Sequence, residues 1–219
     1  MANVIALIDG FNMYGALNTR VRGLTPFAKY KWINYWKLME QFLLPHGTLI
    51  DTLFFTAYPI DGMYDWKEKR ARHVLLAEAQ RDAGVTVVKG RFAERRRQCL
   101  VPATQGGCRK MFTRHEEKRT DVNIAVKLVS MAYERSYDSA FIVTADGDLR
   151  TAIEQAKAVF PAGRVVNIPP IGRAKLAGSL KKAVDAQPEM KEAHLARAQF
   201  PKRIVLKNGR SMECPQEWL

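Results

Sequence analysis

Val4-Ile5-Ala6-Leu7-Ile8 runs into Asp9-Gly10-Phe11-Asn12, and far along the chain Phe141-Ile142-Val143 runs into Thr144-Ala145-Asp146-Gly147-Asp148. Each is a short apolar run rich in β-branched residues and stopped by Asp-Gly, the pattern of a buried strand that ends in a turn. A third acidic position, Asp121 in Lys118-Arg119-Thr120-Asp121-Val122-Asn123, opens a long apolar helix pattern. Where strands and helices alternate, the strands lie parallel, and carboxylates just past strand ends gather at one edge of the sheet. Gathered carboxylates repel each other, and a divalent cation relieves that repulsion.

Working outward, the segments between these runs alternate. Asp9-Gly10-Phe11-Asn12 reads as a turn and 19–29 as a basic loop containing Gly23 and Pro26. Trp32, Trp36, Leu38, Met39, Phe42 and Leu43 recur at helical spacing up to Pro45-His46-Gly47. Thr48–Tyr58 reads as a strand, residues 62–83 as a charged helix, and Val85–Val88 as a strand. Residues 91–119 fit neither period. Thr120–Arg135 reads as a helix with Val122, Ala125, Val126, Val129, Ala132 and Tyr133 on its apolar stripe. Ala140–Thr144 and Arg164–Ile168 are strands around a helix over 148–159, and Ile171–Val184 reads as a basic helix. The last thirty or so residues form a tail with a small hairpin around Asn208-Gly209. Alternation of this kind implies a mainly parallel sheet covered on both faces.

The 219 residues suffice for one domain with an appendage. Lys and Arg number 35 against 22 Asp and Glu, a formal net charge of +13. That balance favours nucleic acid or an acidic membrane surface. No apolar run approaches the roughly 18 residues that a membrane span requires. The opening apolar stretch has no charged region before it and ends at Asp9, which is not a signal-peptide pattern. Three cysteines do not make a disulfide framework. A cytoplasmic protein is expected.

Ile8-Asp9-Gly10-Phe11-Asn12, Glu116-Glu117-Lys118-Arg119-Thr120-Asp121-Val122-Asn123 and Thr144-Ala145-Asp146-Gly147-Asp148-Leu149 together resemble the NYN domain, a branch of the PIN-like nucleases. Each motif alone is weak; the three in order are fairly specific. The resemblance covers roughly Asn3 to Ile168. It implies an α/β fold, a three-layer α/β/α sandwich with a mainly parallel sheet, extended here by a basic insertion and a C-terminal tail. The corresponding division is an NYN unit over 1–184, with the insertion at about 91–119, and a tail over 185–219. The resemblance also implies a Mg²⁺- or Mn²⁺-dependent ribonuclease, with one or two ions, acting on single-stranded RNA. Asp9, Asp121, Asp146 and Asp148 would be its catalytic metal ligands, with Asn12 as companion of the first turn. Glu78 is the nearest candidate for a further acidic ligand from the second helix. The wider superfamily makes a homodimer one expectation.

Each residue also has an ordinary reading. Asp9 could simply cap a helix or form a turn; Asn12 could make a local turn hydrogen bond or contact a phosphate. The helix macrodipole alone favours a carboxylate at Asp121 by about 0.3–1 kcal/mol. Thr144 could donate to a phosphate or end its strand. A haloacid-dehalogenase-like phosphatase wants a second aspartate where Phe11 stands. The alternative to a nuclease is an inactive module that binds nucleic acid, or recruits a protein, on the same fold.

Residues 89–119 hold ten Lys and Arg against Glu94, Glu116 and Glu117. Because this stretch leads into Asp121, its charge should lie beside the acidic cluster, where Arg95, Arg96, Arg97, Lys118 and Arg119 would hold a nucleic-acid backbone. Tyr64 and Trp66 are candidate base-stacking residues. Cys99 and Cys108, which flank Pro102, with His115 beyond, allow a zinc knuckle on paper, but the eight-residue gap between the thiols argues against a standard ribbon. Two ordinary loop thiols are the stronger reading. His46, His73 and His194 read as solvated surface histidines.

Overall fold

The computed structural model describes every residue except Arg22, in the basic 19–29 stretch, and Pro102, between the two cysteines. Its centre is a five-stranded parallel sheet in the order β3-β2-β1-β6-β7, comprising β1 (Ala2–Asp9), β2 (Gly47–Thr56), β3 (Thr86–Lys89), β6 (Ser139–Val143) and β7 (Arg164–Asn167). The central strand β1 is buried from Val4 onward. It alternates its side chains between two cores: Val4, Ala6 and Ile8 pack on one face, Ile5 and Leu7 on the other.

The first face is covered by α1 (Gly10–Leu17), α2 (Tyr35–Glu40) and α6 (Glu192–Arg197). The second is covered by α4 (Thr120–Tyr133) and α5 (Arg150–Val159). This is the expected α/β/α layering. Among the described residues, no helix is long and apolar enough to cross a membrane.

A third cluster joins α3 (Trp66–Asp82) to the antiparallel hairpin of β8 (Arg203–Val205) and β9 (Ser211–Glu213). Trp32 is 2% exposed, packs against Phe200 and Trp218 at 5.4 and 6.3 Å between ring centroids, and donates its indole N–H to the Pro201 carbonyl at 2.8 Å. Arg210 pairs with Glu78, and Arg72 with Glu217 at 2.7 Å. Trp32→Ala is expected to lower unfolding stability by about 3–5 kcal/mol, read from urea denaturation followed by circular dichroism.

Several local expectations are corrected. The segment after Asp9 is a helix, not a turn. The expected 32–43 helix shrinks to Tyr35–Glu40, because Asn34 caps it by accepting from the Lys37 N–H at 3.0 Å. The basic helix over 171–184 is replaced by turns and a single 3-10 turn at Leu176–Ser179; Gly172 at φ 72° and Gly178 make a continuous helix costly there. Helix α4 buries Ile124, Leu128, Met131 and Ala132, leaving Val122, Val126 and Tyr133 exposed. Apolar residues on both sides made its period ambiguous, and the sheet selected the face with the longer side chains. His73 is half-buried rather than solvated, with its pKa pushed down to about 4 by desolvation and by the charges of Arg72 and Lys31.

Residues 91–119 form an arm: an antiparallel hairpin of β4 (Arg91–Gln98) and β5 (Met111–Lys118). Most of its residues stay exposed on both faces. With no buried face, the sequence had no inward-outward alternation to display.

Candidate functional site

Neighbouring strands β1 and β6 end side by side, with Ile8 paired to Val143. Asp9 closes β1 and caps α1: its Oδ1 accepts the Asn12 backbone N–H at 3.0 Å. Its Oδ2 accepts the Asn12 side-chain N–H at 2.5 Å and the Thr144 hydroxyl at 3.0 Å. Asn12 also accepts the Ala145 N–H at 3.2 Å, and the Thr144 oxygen accepts the Asp146 N–H at 3.1 Å. The two strand ends are thus laced together by side chains. Asp146 then accepts the Asp148 N–H at 2.9 Å and caps the 3-10 turn at Gly147–Leu149.

The electrostatics follow from this crowding. Asp9 is 1% exposed. Burial pushes its pKa up, hydrogen bonds from Asn12 and Thr144 oppose that, and the Asp146 charge reinforces it. Asp121, half-buried in the first turn of α4, is pushed up to about 6, first by burial and then by Asp9, Asp146, Glu117 and Asp148. Asp121 therefore lies within the field of the three other predicted carboxylates and of one unpredicted neighbour, Glu117. Glu117 accepts both the Thr120 backbone N–H, at 3.0 Å, and the Thr120 hydroxyl. Glu117 thereby satisfies the first backbone N–H of α4 from three residues before it, a role that the charge run of the arm conceals. Ser179 is another unforeseen neighbour: a Cβ at Gly147 would stand 2.7 Å from its hydroxyl.

Asp121 ties stability to pH. Its folded pKa, about 6, lies above its unfolded value of 3.8, so the native state binds the extra proton between those values and gains stability as pH falls through 6. Without divalent cations, Asp121→Asn should raise the unfolding temperature at pH 7.5 and show a smaller gain at pH 5, by differential scanning fluorimetry.

The arm is rooted beside this cluster. Phe92 meets Phe11 edge-on at 5.7 Å, Arg91 pairs with Lys118 in register, and Arg119 adopts φ 82° at the turn into α4. Lys118 and Arg119 thus sit at the base, with Lys118 paired to Glu116 at 3.0 Å. Arg95, Arg96 and Arg97 are exposed and begin about 13 Å further out along the strand. Arg97 reaches Glu116 at 3.2 Å, whereas Arg95 faces Arg114 directly across the hairpin. Such a like-charge pair weakens a hairpin until an anion neutralises it. Tyr64 is 82% exposed, and nearby Gly62 packs against His115 of the arm.

Two expectations do not join the site. Glu78 is turned to the C-terminal hairpin by Arg210. His115 pairs in register with Glu94, about 15 Å along the arm from Cys99. The Cys99 thiol is lowered by the Cys108 backbone N–H, with smaller help from Val101, the Cys108 side chain and Arg109.

An oxygen-only donor set suits a hard cation such as Mg²⁺ or Mn²⁺, and the carboxylate crowding that raises the Asp121 pKa is what such a cation relieves. Among the described residues, no three His, Cys, Asp or Glu side chains already converge as a metal cage. The cluster is a gathering of carboxylates that fits the ion by chemistry, not a closed cage.

A parallel sheet layered by helices, with acidic residues at the carboxyl ends of its central strands, defines a PIN-like α/β protein. The family model described as "NYN domain" matches residues 3–187. The chain belongs to the NYN domain family, within the PIN-like nuclease superfamily. It is 26% identical to 6-hydroxy-3-succinoylpyridine 3-monooxygenase HspA of Pseudomonas putida (strain DSM 28022 / S16), over 96% of this chain and 73% of that protein. Its fold is similar to the crystal structure of a protein of unknown function from Vibrio parahaemolyticus RIMD 2210633. The TM-score is 0.54 and the identity 16%, over 87% of this chain and 94% of that one.

Proposed function

We propose that this chain is a metal-dependent ribonuclease that hydrolyses phosphodiester bonds of single-stranded RNA in the cytoplasm. The observation that carries the reading is the meeting of the β1 and β6 ends, where Asp9 and Asp146 are joined through Asn12 and Thr144, with a strongly basic arm rooted beside them; the raised pKa of Asp121 agrees with that crowding. Asp9, Asp121, Asp146 and Asp148 would hold Mg²⁺ or Mn²⁺. A bound ion lowers the pKa of a water and neutralises charge developing on the scissile phosphate. Asn12 and Thr144 hold Asp9 in one orientation and fix the spacing of the two strand ends. Lys118 and Arg119 at the arm's base, with Arg95, Arg96 and Arg97 further out, would draw the RNA backbone across the acidic edge. The same reading places the NYN unit at 1–184, with 185–219 as a C-terminal extension packed onto it through α6 and the β8–β9 hairpin.

The test is incubation of a labelled single-stranded RNA with the protein in Mn²⁺, Mg²⁺ or EDTA. Metal-dependent cleavage supports the proposal; RNA bound but uncut in all three favours a binding module. The likeness to a protein named as a monooxygenase favours a second reading, oxidation of a small aromatic. Oxygen uptake that depends on the pyridine in that name and on a two-electron reductant, without RNA cleavage, would put the second reading first.

A further inference from the structure

At the opposite end of the strands from Asp9 lies a pocket of about 620 Å³ that the nuclease reading leaves unused. Ala2 and Val4 line it, so it stands about 20 Å along β1 from the acidic edge. It opens on the sheet face that carries α1, α2 and α6, at the amino ends of β1, β6 and β7. Val4, Phe141 and Val166, which belong to the core on that face, line the pocket there, joined by Phe42 after α2 and by Pro188 of the segment following β7.

The polar groups at this pocket are unequal. The Asp138 carboxylate accepts the Asn3 N–H at 2.6 Å. Nearby Asp185 pairs with Lys157 at 2.6 Å and accepts the Val165 N–H at 2.8 Å. Arg164 lines the pocket, is exposed, and makes no ion pair among the described residues. The acids nearby accept other donors, and the Arg164 guanidinium, though it lies within the field of Asp185, makes no ion pair with either. A cavity of this size with mainly apolar walls and a few placed polar groups, here the Arg164 guanidinium and the Asp138 carboxylate, is the usual form of a small-molecule site, and a guanidinium fork matches a carboxylate.

We propose that this pocket binds a small organic acid, an apolar ring or short chain carrying one carboxylate, with the body on Val4, Phe141 and Val166 and the head at Arg164. The proposal goes beyond the nuclease reading and does not depend on it.

The experiment is a ¹H–¹⁵N correlation titration of the full chain with 1-naphthoate and, separately, with neutral 1-naphthalenemethanol. Saturable shifts are expected at the Val4, Ser139 and Val166 amides, with Gly147–Leu149 unmoved. Arg164→Gln should weaken naphthoate about tenfold and leave the neutral probe within about twofold. Ala186→Phe, which fills the pocket, should remove binding of both; should that variant misfold, the shift map and Arg164→Gln still decide. No saturable shift, shifts centred elsewhere, or equal affinity for both probes unmoved by Arg164→Gln would overturn the proposal.

Discussion

Asp146→Asn is expected to reduce metal-dependent RNA cleavage by at least about 100-fold while leaving RNA affinity within about twofold. The substitution keeps the side chain's size and one carbonyl oxygen, so the bond from the Asp148 N–H can persist. What it removes is a negative charge from a cluster whose proposed work is to hold a cation. The charge change also reaches Asp121, part of whose raised pKa comes from Asp146; in the variant that pKa should fall. Single-turnover cleavage in Mn²⁺, beside a filter-binding assay in EDTA, separates chemistry from binding. Unchanged cleavage would remove Asp146 from the site.

Reversing the arm, with Arg95, Arg96 and Arg97 all changed to Glu, is the second large effect. These side chains are exposed and stand beyond the acidic edge, so the substitution should spare the core and the unfolding temperature. RNA affinity should fall steeply. The dependence of log K on log salt should become shallower by about 2, since each lost phosphate contact on a single strand removes about 0.7. Binding measured from low to moderate salt checks both numbers. A uniform loss with an unaltered slope would mean that these arginines do not meet phosphates.

What could be read from the residues alone follows from what burial does to a sequence. Strands β1 and β6 are buried, so apolar runs ended by Asp-Gly declared both the sheet and the position of Asp9 and Asp146. Helix α1 was hidden because Asp9-Gly10-Phe11-Asn12 carries the signature of a turn, and the same Asp serves as a helix cap. The arm was hidden for the opposite reason: a hairpin without a buried face leaves no period. Ser179 reaches the cluster only through tertiary placement. It does so from a segment whose glycines break the helix that its spacing suggested.

The double employment of Asp9 separates the acidic residues by what would remain if the chemistry were abandoned. Asp9 terminates a strand, starts a helix and clasps the next strand through Thr144, so a chain that no longer cut anything would still need it. Asp121 is the reverse case, a charge the native state would hold more comfortably as a neutral group. In a relative that had drifted to another trade, Asp121 would be the first to go and Asp9 the last. On the proposed reading, the identity of the residue at the position of Asp121, rather than the opening motif, is therefore the sharper marker of cleavage among relatives.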